Sequence, residues 1–153
     1  MTAPEGQVRT TDATDTRPPA RGWGRVIIAV YGIFAISSMA RAGVQLIRDA
    51  AEAPLAYTLS AFAAVVYVVA TVALAHNGRR MRRLGWTAVV VELVGVLAVG
   101  ALSLVEPELF PQPTVWSHFG QGYGFVPLVL PVLGMIWLWR SSPGRVARAS
   151  EDR

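Results

Sequence analysis

One carboxylic acid, Glu92, stands inside the apolar stretch 84–105, LGWTAVVVELVGVLAVGALSLV. An acid in such a run is costly, so its presence marks a site: a hydrogen-bonded structural acid, or a group that handles protons or cations. Two other apolar runs carry Tyr31 and Tyr67, whose hydroxyls can donate to or accept from a carboxyl group. A second polar set comprises Arg41, Gln45, Tyr57, Ser60, Ser103, Glu106 and His118. Arginine, carboxylate and imidazole together point to an outer polar layer with lipid-active chemistry as one possible use. Other chemistries have no support. The chain lacks cysteine, which removes thiolate nucleophiles and thiolate metal sites. It carries no phosphate-binding glycine loop, nucleophile elbow or HExxH sequence, and no serine has a histidine on its own helix face to activate it. His76 and His118 fall at opposite ends of the apolar runs, roughly 30 Å apart, so they cannot ligate one haem. One histidine with flexible carboxylates is a poor metal set. Neither cofactor nor metal is expected.

The elements that position these residues are apolar and long. Hydrophobic residues make up 53% of the 153 and charged residues 16%, and they come in blocks of about twenty, the length a helix needs to cross a bilayer. The composition therefore predicts an all-α polytopic membrane protein: a left-handed bundle of four transmembrane helices behind a disordered N-terminal tail. The tail is 1–22, rich in Thr, Pro and charge with little to bury. The helices are expected at about 24–53, 54–76, 84–105 and 121–140, with an outer loop at 106–120 and a basic tail at 141–153. Reading the first run as a cleaved signal peptide is less economical, because its polar stripe continues through the cleavage-like Ser38-Met39-Ala40.

All 14 basic residues are Arg. Twelve fall in the N-terminal tail, the 77–83 connection, the C-terminal tail and the adjoining helix ends at Arg25 and Arg140, against Arg41 and Arg48 on the other side. This positive-inside bias predicts both termini in the cytoplasm, in the cytoplasmic membrane. The clusters are expected to meet anionic lipid headgroups. Nucleic acid is not expected as a partner, because no aromatic interleaving or recognisable module accompanies them.

Each run carries one stripe of polar or small residues at spacings of three and four: Tyr31, Ser38, Arg41, Gln45, Arg48 and Glu52 in the first; Tyr57, Ser60, Ala64, Tyr67 and Thr71 in the second; Glu92, Gly95, Val99, Ser103 and Glu106 in the third; Gly120, Gly124, Pro127, Pro131 and Gly134 in the fourth. Such stripes form the seams of a left-handed bundle. The first stripe carries helix one on to about Ala53, stopped by Pro54. At 1.5 Å per residue Tyr31, Tyr67 and Glu92 share a layer ~10–13 Å deep from the cytoplasmic ends, while Arg41, Ser60, Tyr57 and Ser103 lie at ~24–28 Å. Glu92 therefore has no cation at its depth and is expected uncharged, with Tyr31 and Tyr67 as neighbours; Arg41 is expected to meet Glu106 or the Tyr57 hydroxyl. The loop 106–120 holds three prolines with Phe110, Trp116 and Phe119. It reads either as an interfacial loop with its aromatics at headgroup level or as a lid or partner-docking surface over the outer layer.

These segments resemble a family of small, uncharacterised four-helix integral membrane proteins common in actinobacteria. The resemblance covers most of 30–139 and rests on Tyr31-Gly32-Ile33-Phe34, Ala53-Pro54-Leu55-Ala56-Tyr57, Ser103-Leu104-Val105-Glu106-Pro107, Thr114-Val115-Trp116-Ser117 and the stretch 122–131. It implies the fold and membrane location and supplies no catalytic residue. The function expected is that of a non-enzymatic accessory or scaffold subunit, as a homo-oligomer or beside another membrane protein. The alternatives are a small proton-linked carrier using Glu92 and an outer-face lipid-active enzyme.

Overall fold

The computed structural model describes residues 22–48, 51–76 and 78–142. Among these, all regular structure is helical: α1 (Trp23–Arg48), α2 (Pro54–Ala75), α3 (Arg79–Val105) and α4 (Val126–Arg140), with 3-10 segments at Pro107–Leu109 and Ser117–Tyr123. The expected tails 1–22 and 141–153 lie outside the described residues except for Gly22, Ser141 and Ser142. Helices α1, α2 and α3 are each long and apolar enough to cross a membrane. A fourth crossing results if Ser117–Tyr123 and α4, bent by 97° at the break between them, count together.

Packing follows the sequence stripe closely in α2 and only in part in the other helices. The buried face of α1 is Gly24, Ile27, Tyr31, Ala35, Ser38 and Ala42, and that of α2 includes Ala56, Ala63, Ala64, Tyr67, Ala70 and Ala73. Small residues at these spacings let helix backbones approach closely. Helix α1 packs along α2, α2 along α3, and α3 along both α4 and the Ser117–Tyr123 segment, whereas α1 and α4 barely touch. An apolar groove of about 750 Å³ remains between α1 and α4, lined by residues such as Val30, Val129, Leu133 and Ile136.

Three boundaries differ from the sequence reading. Helix α1 ends at Arg48 rather than Ala53, and Ala51 and Glu52 form a turn, so Arg48 and Glu52 are not an i,i+4 helical pair. An antiparallel return needs a connection, and because α2 starts at Pro54, which disfavours helical geometry at the residue before it, the connection consumes the expected last turn of α1. Helix α3 starts at Arg79 rather than Leu84, so the Arg cluster occupies its first turns instead of a loop. Arginine is a good helix former. Arg82 donates from there to the carbonyls of Leu138 (2.6 Å) and Ser141 (3.3 Å), satisfying the open C-terminal end of α4. Helix α4 starts at Val126 rather than 121, because Gly120, Gly124 and Phe125 adopt left-handed backbone angles. Pro127 then occupies its first turn, where the absent N–H costs nothing. The resulting helix is only ~22 Å long. Pro131 and Gly134 within it are buried, as a proline-bearing helix packed by its neighbours requires.

Candidate functional site

Glu92, on the buried face of α3, is fully buried, as are Tyr31 of α1 and Tyr67 of α2. The depth count thus brings together the right three residues. The Tyr31 hydroxyl donates to Glu92 Oε2 at 2.6 Å, at the short end for an O–H···O bond. Gly134 of α4 makes room for that hydroxyl: a Cβ there would lie 3.3 Å from the Tyr31 oxygen and from Val89. The two tyrosine rings are 6.3 Å apart and tilted. Among the described residues, the buried Glu92 Oε1 and Ser60 Oγ meet no partner at full hydrogen-bond geometry.

The fourth member of this layer comes from the loop. Trp116, 1% exposed, donates its indole N–H to the Tyr67 hydroxyl at 3.1 Å and meets Phe62 edge-on at 6.1 Å. Its six-membered ring lies against Gly95, one turn from Glu92; a Cβ on Gly95 would fall 2.5–2.9 Å from three ring carbons. Gly95 is ten residues below the end of α3, so the indole reaches ~15 Å into the assembly. The loop is therefore inserted, with its tryptophan packed between the helices rather than lying at their rim. Phe119 follows the same pattern against Gly100, where a Cβ would collide with its ring.

Local chemistry explains how an irregular segment tolerates this depth. Thr114 Oγ1 accepts the backbone N–H of Trp116 (3.2 Å) and Ser117 (3.0 Å), and Ser117 Oγ accepts that of Thr114 (2.9 Å). This reciprocal arrangement resembles a helix capping box and holds the Trp116 backbone. Ser103 Oγ accepts the His118 N–H at 2.8 Å while donating to the Gly100 carbonyl at 2.8 Å. The outer half of the α3 stripe thus receives a loop rather than another helix. Gly95→Ala is expected to destabilise the protein by about 1–3 kcal/mol in thermal unfolding, because a buried indole fixed at both ends cannot yield to the added methyl.

The outer polar residues disperse. Arg41 donates to the Tyr123 hydroxyl (2.6 Å) and the Pro113 carbonyl (2.9 Å), not to Glu106 or Tyr57 as expected. The loop returns across the end of α1 and supplies acceptors that counting along helices cannot locate. Glu106 is exposed at the end of α3, Gln45 is half-buried with its Oε1 unpartnered, and Tyr57 is buried in α2. His118 is exposed and shares a cleft with Arg41. Tyr123, missed by the stripe reading, links the two layers through Phe34: Phe34 is 5.8 Å from Tyr123 and 5.6 Å from Tyr67. A usable signal for the loop insertion was the pair Gly95 and Gly100, two positions on α3 with no side chain, followed by a loop with two large aromatics, Trp116 and Phe119. Among the described residues, no three His, Asp or Glu side chains are grouped to hold a metal.

Compared with protein families, curated proteins and solved structures, the chain matches none.

Proposed function

We propose that the chain is an integral protein of the cytoplasmic membrane, with four spans in a left-handed bundle and both termini cytoplasmic, acting as a non-enzymatic accessory or scaffold subunit. Membership of the actinobacterial four-helix family belongs to the same reading. The apolar lengths of α1, α2 and α3 support the membrane location. On this reading α4 falls short of the ~30 Å hydrocarbon core and the inserted loop completes the fourth crossing, which only a protein-buried irregular segment can do. The Arg-rich start of α3 marks the cytoplasmic end. A single cysteine introduced by Arg80→Cys is expected to react with impermeant maleimide only when the cytoplasmic face is open; labelling from outside would invert the topology.

The observation that carries the accessory role is the open seam between α1 and α4, where the helices fail to close on each other and leave an apolar groove. Helix-in-groove packing with a partner's transmembrane helix would fill it. Photo-crosslinking residues placed at Val129 and Leu133 are expected to give one discrete protein adduct, and the same residue at lipid-facing Val65 none. Adducts absent from the groove, or equal at all three positions, would defeat the accessory reading. An adduct between two copies of the chain would make it a homo-oligomer.

Glu92 enters this account as a structural lock, since its fully buried carboxyl accepts the Tyr31 hydroxyl. The unpartnered Oε1 keeps a proton-linked carrier as the second reading. In proteoliposomes the accessory reading expects Glu92→Gln to leave proton flux unchanged, and a pH-dependent flux lost in that variant would favour the carrier. A lipid-active enzyme is less well supported, because Arg41 and His118 line one cleft while Glu106 does not.

A further inference from the structure

At the loop end of the helices a cleft of about 540 Å³ opens between α1 and the inserted segment, lined by Arg41, His118, Gln121 and Tyr123 among others. We propose that this cleft is a binding site for a phosphate-bearing anion, with the Arg41 guanidinium as its charge and His118 and Gln121 at its rim.

Arg41 is half-buried, and both of its hydrogen bonds go to neutral acceptors, the Tyr123 hydroxyl and the Pro113 carbonyl. A guanidinium has five N–H donors, so three remain after these two bonds. No carboxylate forms an ion pair with it among the described residues: Glu106 and Glu108 are exposed and neither lines the cleft. A half-buried cation whose fixed partners are all neutral keeps charge to offer, and an anion in the cleft meets it. The two neutral bonds also hold the planar fork in place before any ligand arrives, which lowers the entropy cost of binding.

The rim is fixed as well. His118 adopts φ 52°, a left-handed geometry that costs a non-glycine residue free energy and persists where the surroundings impose it; here its N–H is held by Ser103 Oγ. The Thr114 and Ser117 hydroxyls are engaged with each other and with backbone N–H groups. That leaves the exposed His118 and Gln121 side chains as the polar groups available beside Arg41. The volume suits a headgroup-sized molecule rather than a bare ion.

The choice of phosphate over carboxylate rests on the membrane reading above. Arg41 lies 18 residues along α1 from Trp23, ~27 Å, which places the cleft where the phosphates of the outer leaflet lie. The phosphate can come from a phospholipid or from a soluble ester, and the test separates the two. The full chain is purified in detergent and offered phosphatidylglycerol or phosphate-free diacylglycerol in mixed micelles, with retained lipid counted by native mass spectrometry. In a second arm glycerol 3-phosphate is added without lipid and thermal unfolding is followed. The variants are Arg41→Gln and, because Arg41 also tethers the loop, the exposed-site pair His118→Ala with Gln121→Ala.

Phosphatidylglycerol retained selectively over diacylglycerol, about tenfold less by Arg41→Gln and severalfold less by the rim pair, supports a lipid ligand. Protection by glycerol 3-phosphate alone, lost in the same variants, supports a soluble one. Equal retention of both lipids, or retention and protection unchanged in the folded rim pair, overturns the site. The glycerol 3-phosphate arm needs no bilayer, so a protein that fails to insert into vesicles defeats the membrane reading without deciding this one.

Discussion

Trp116→Ala is expected to destabilise the purified protein by about 3–5 kcal/mol, read as a lowered midpoint of thermal or detergent unfolding. Trp116 heads the fully buried side chains by volume, and its removal leaves an empty space bounded by Gly95, Phe62 and Tyr67. The dispersion attraction forfeited around that space dominates the cost. Trp116→Phe keeps one aromatic ring but gives up three heavy atoms of the indole and the N–H that reaches Tyr67, so its cost is smaller, about 1–3 kcal/mol. The contrast grades the cost by how much of the indole is removed. A headgroup-level tryptophan would instead tolerate both changes alike.

The second large effect is at Glu92. Glu92→Ala removes a fully buried side chain and strips the Tyr31 hydroxyl of its acceptor. The cavity and the orphaned hydroxyl together cost about 3–5 kcal/mol. Glu92→Gln preserves an oxygen for Tyr31 at nearly the same volume, and is expected to stay within about 1 kcal/mol of the original. Unfolding of both variants alongside Tyr31→Phe completes the comparison. If alanine and glutamine prove equally damaging, the carboxyl group does more than accept the Tyr31 proton, and the structural-lock account of Glu92 fails.

Much of the inner layer was legible in the sequence because helices translate residue number into height. Tyr31, Tyr67 and Glu92 each sit on a regular helix, so a constant rise per residue and a spacing of three and four are enough to place them side by side. The same logic picks out Ser38, Ser60, Val99, Ser103, Pro127, Pro131 and Gly134 as buried. It fails where the chain leaves the helix. Nothing in the residue count shows that the segment after Val105 turns back into the assembly, so Trp116 reads as an interfacial aromatic and Arg41 is given partners on helices instead of Pro113 and Tyr123. The stripe also overruns at Arg48, because a periodic pattern does not reveal the residues a turn requires. Gly95 reads as a close-packing position for a helix, and Gly100 falls off the stripe. Both are seats for loop aromatics, and only the sizes of Trp116 and Phe119 hint at it.

The insertion of the loop is the claim on which both layers depend, and thiol accessibility tests it directly because the chain has no cysteine of its own. Val115 is 1% exposed, while His118, three residues on, is exposed. In single-cysteine variants Val115→Cys and His118→Cys, assayed in the folded protein with an impermeant maleimide, position 118 should label promptly. Position 115 should label at least about tenfold more slowly, through local opening alone. Comparable labelling at the two positions would mean that the loop lies on the surface, and would contradict the inserted tryptophan and the polar layer it completes.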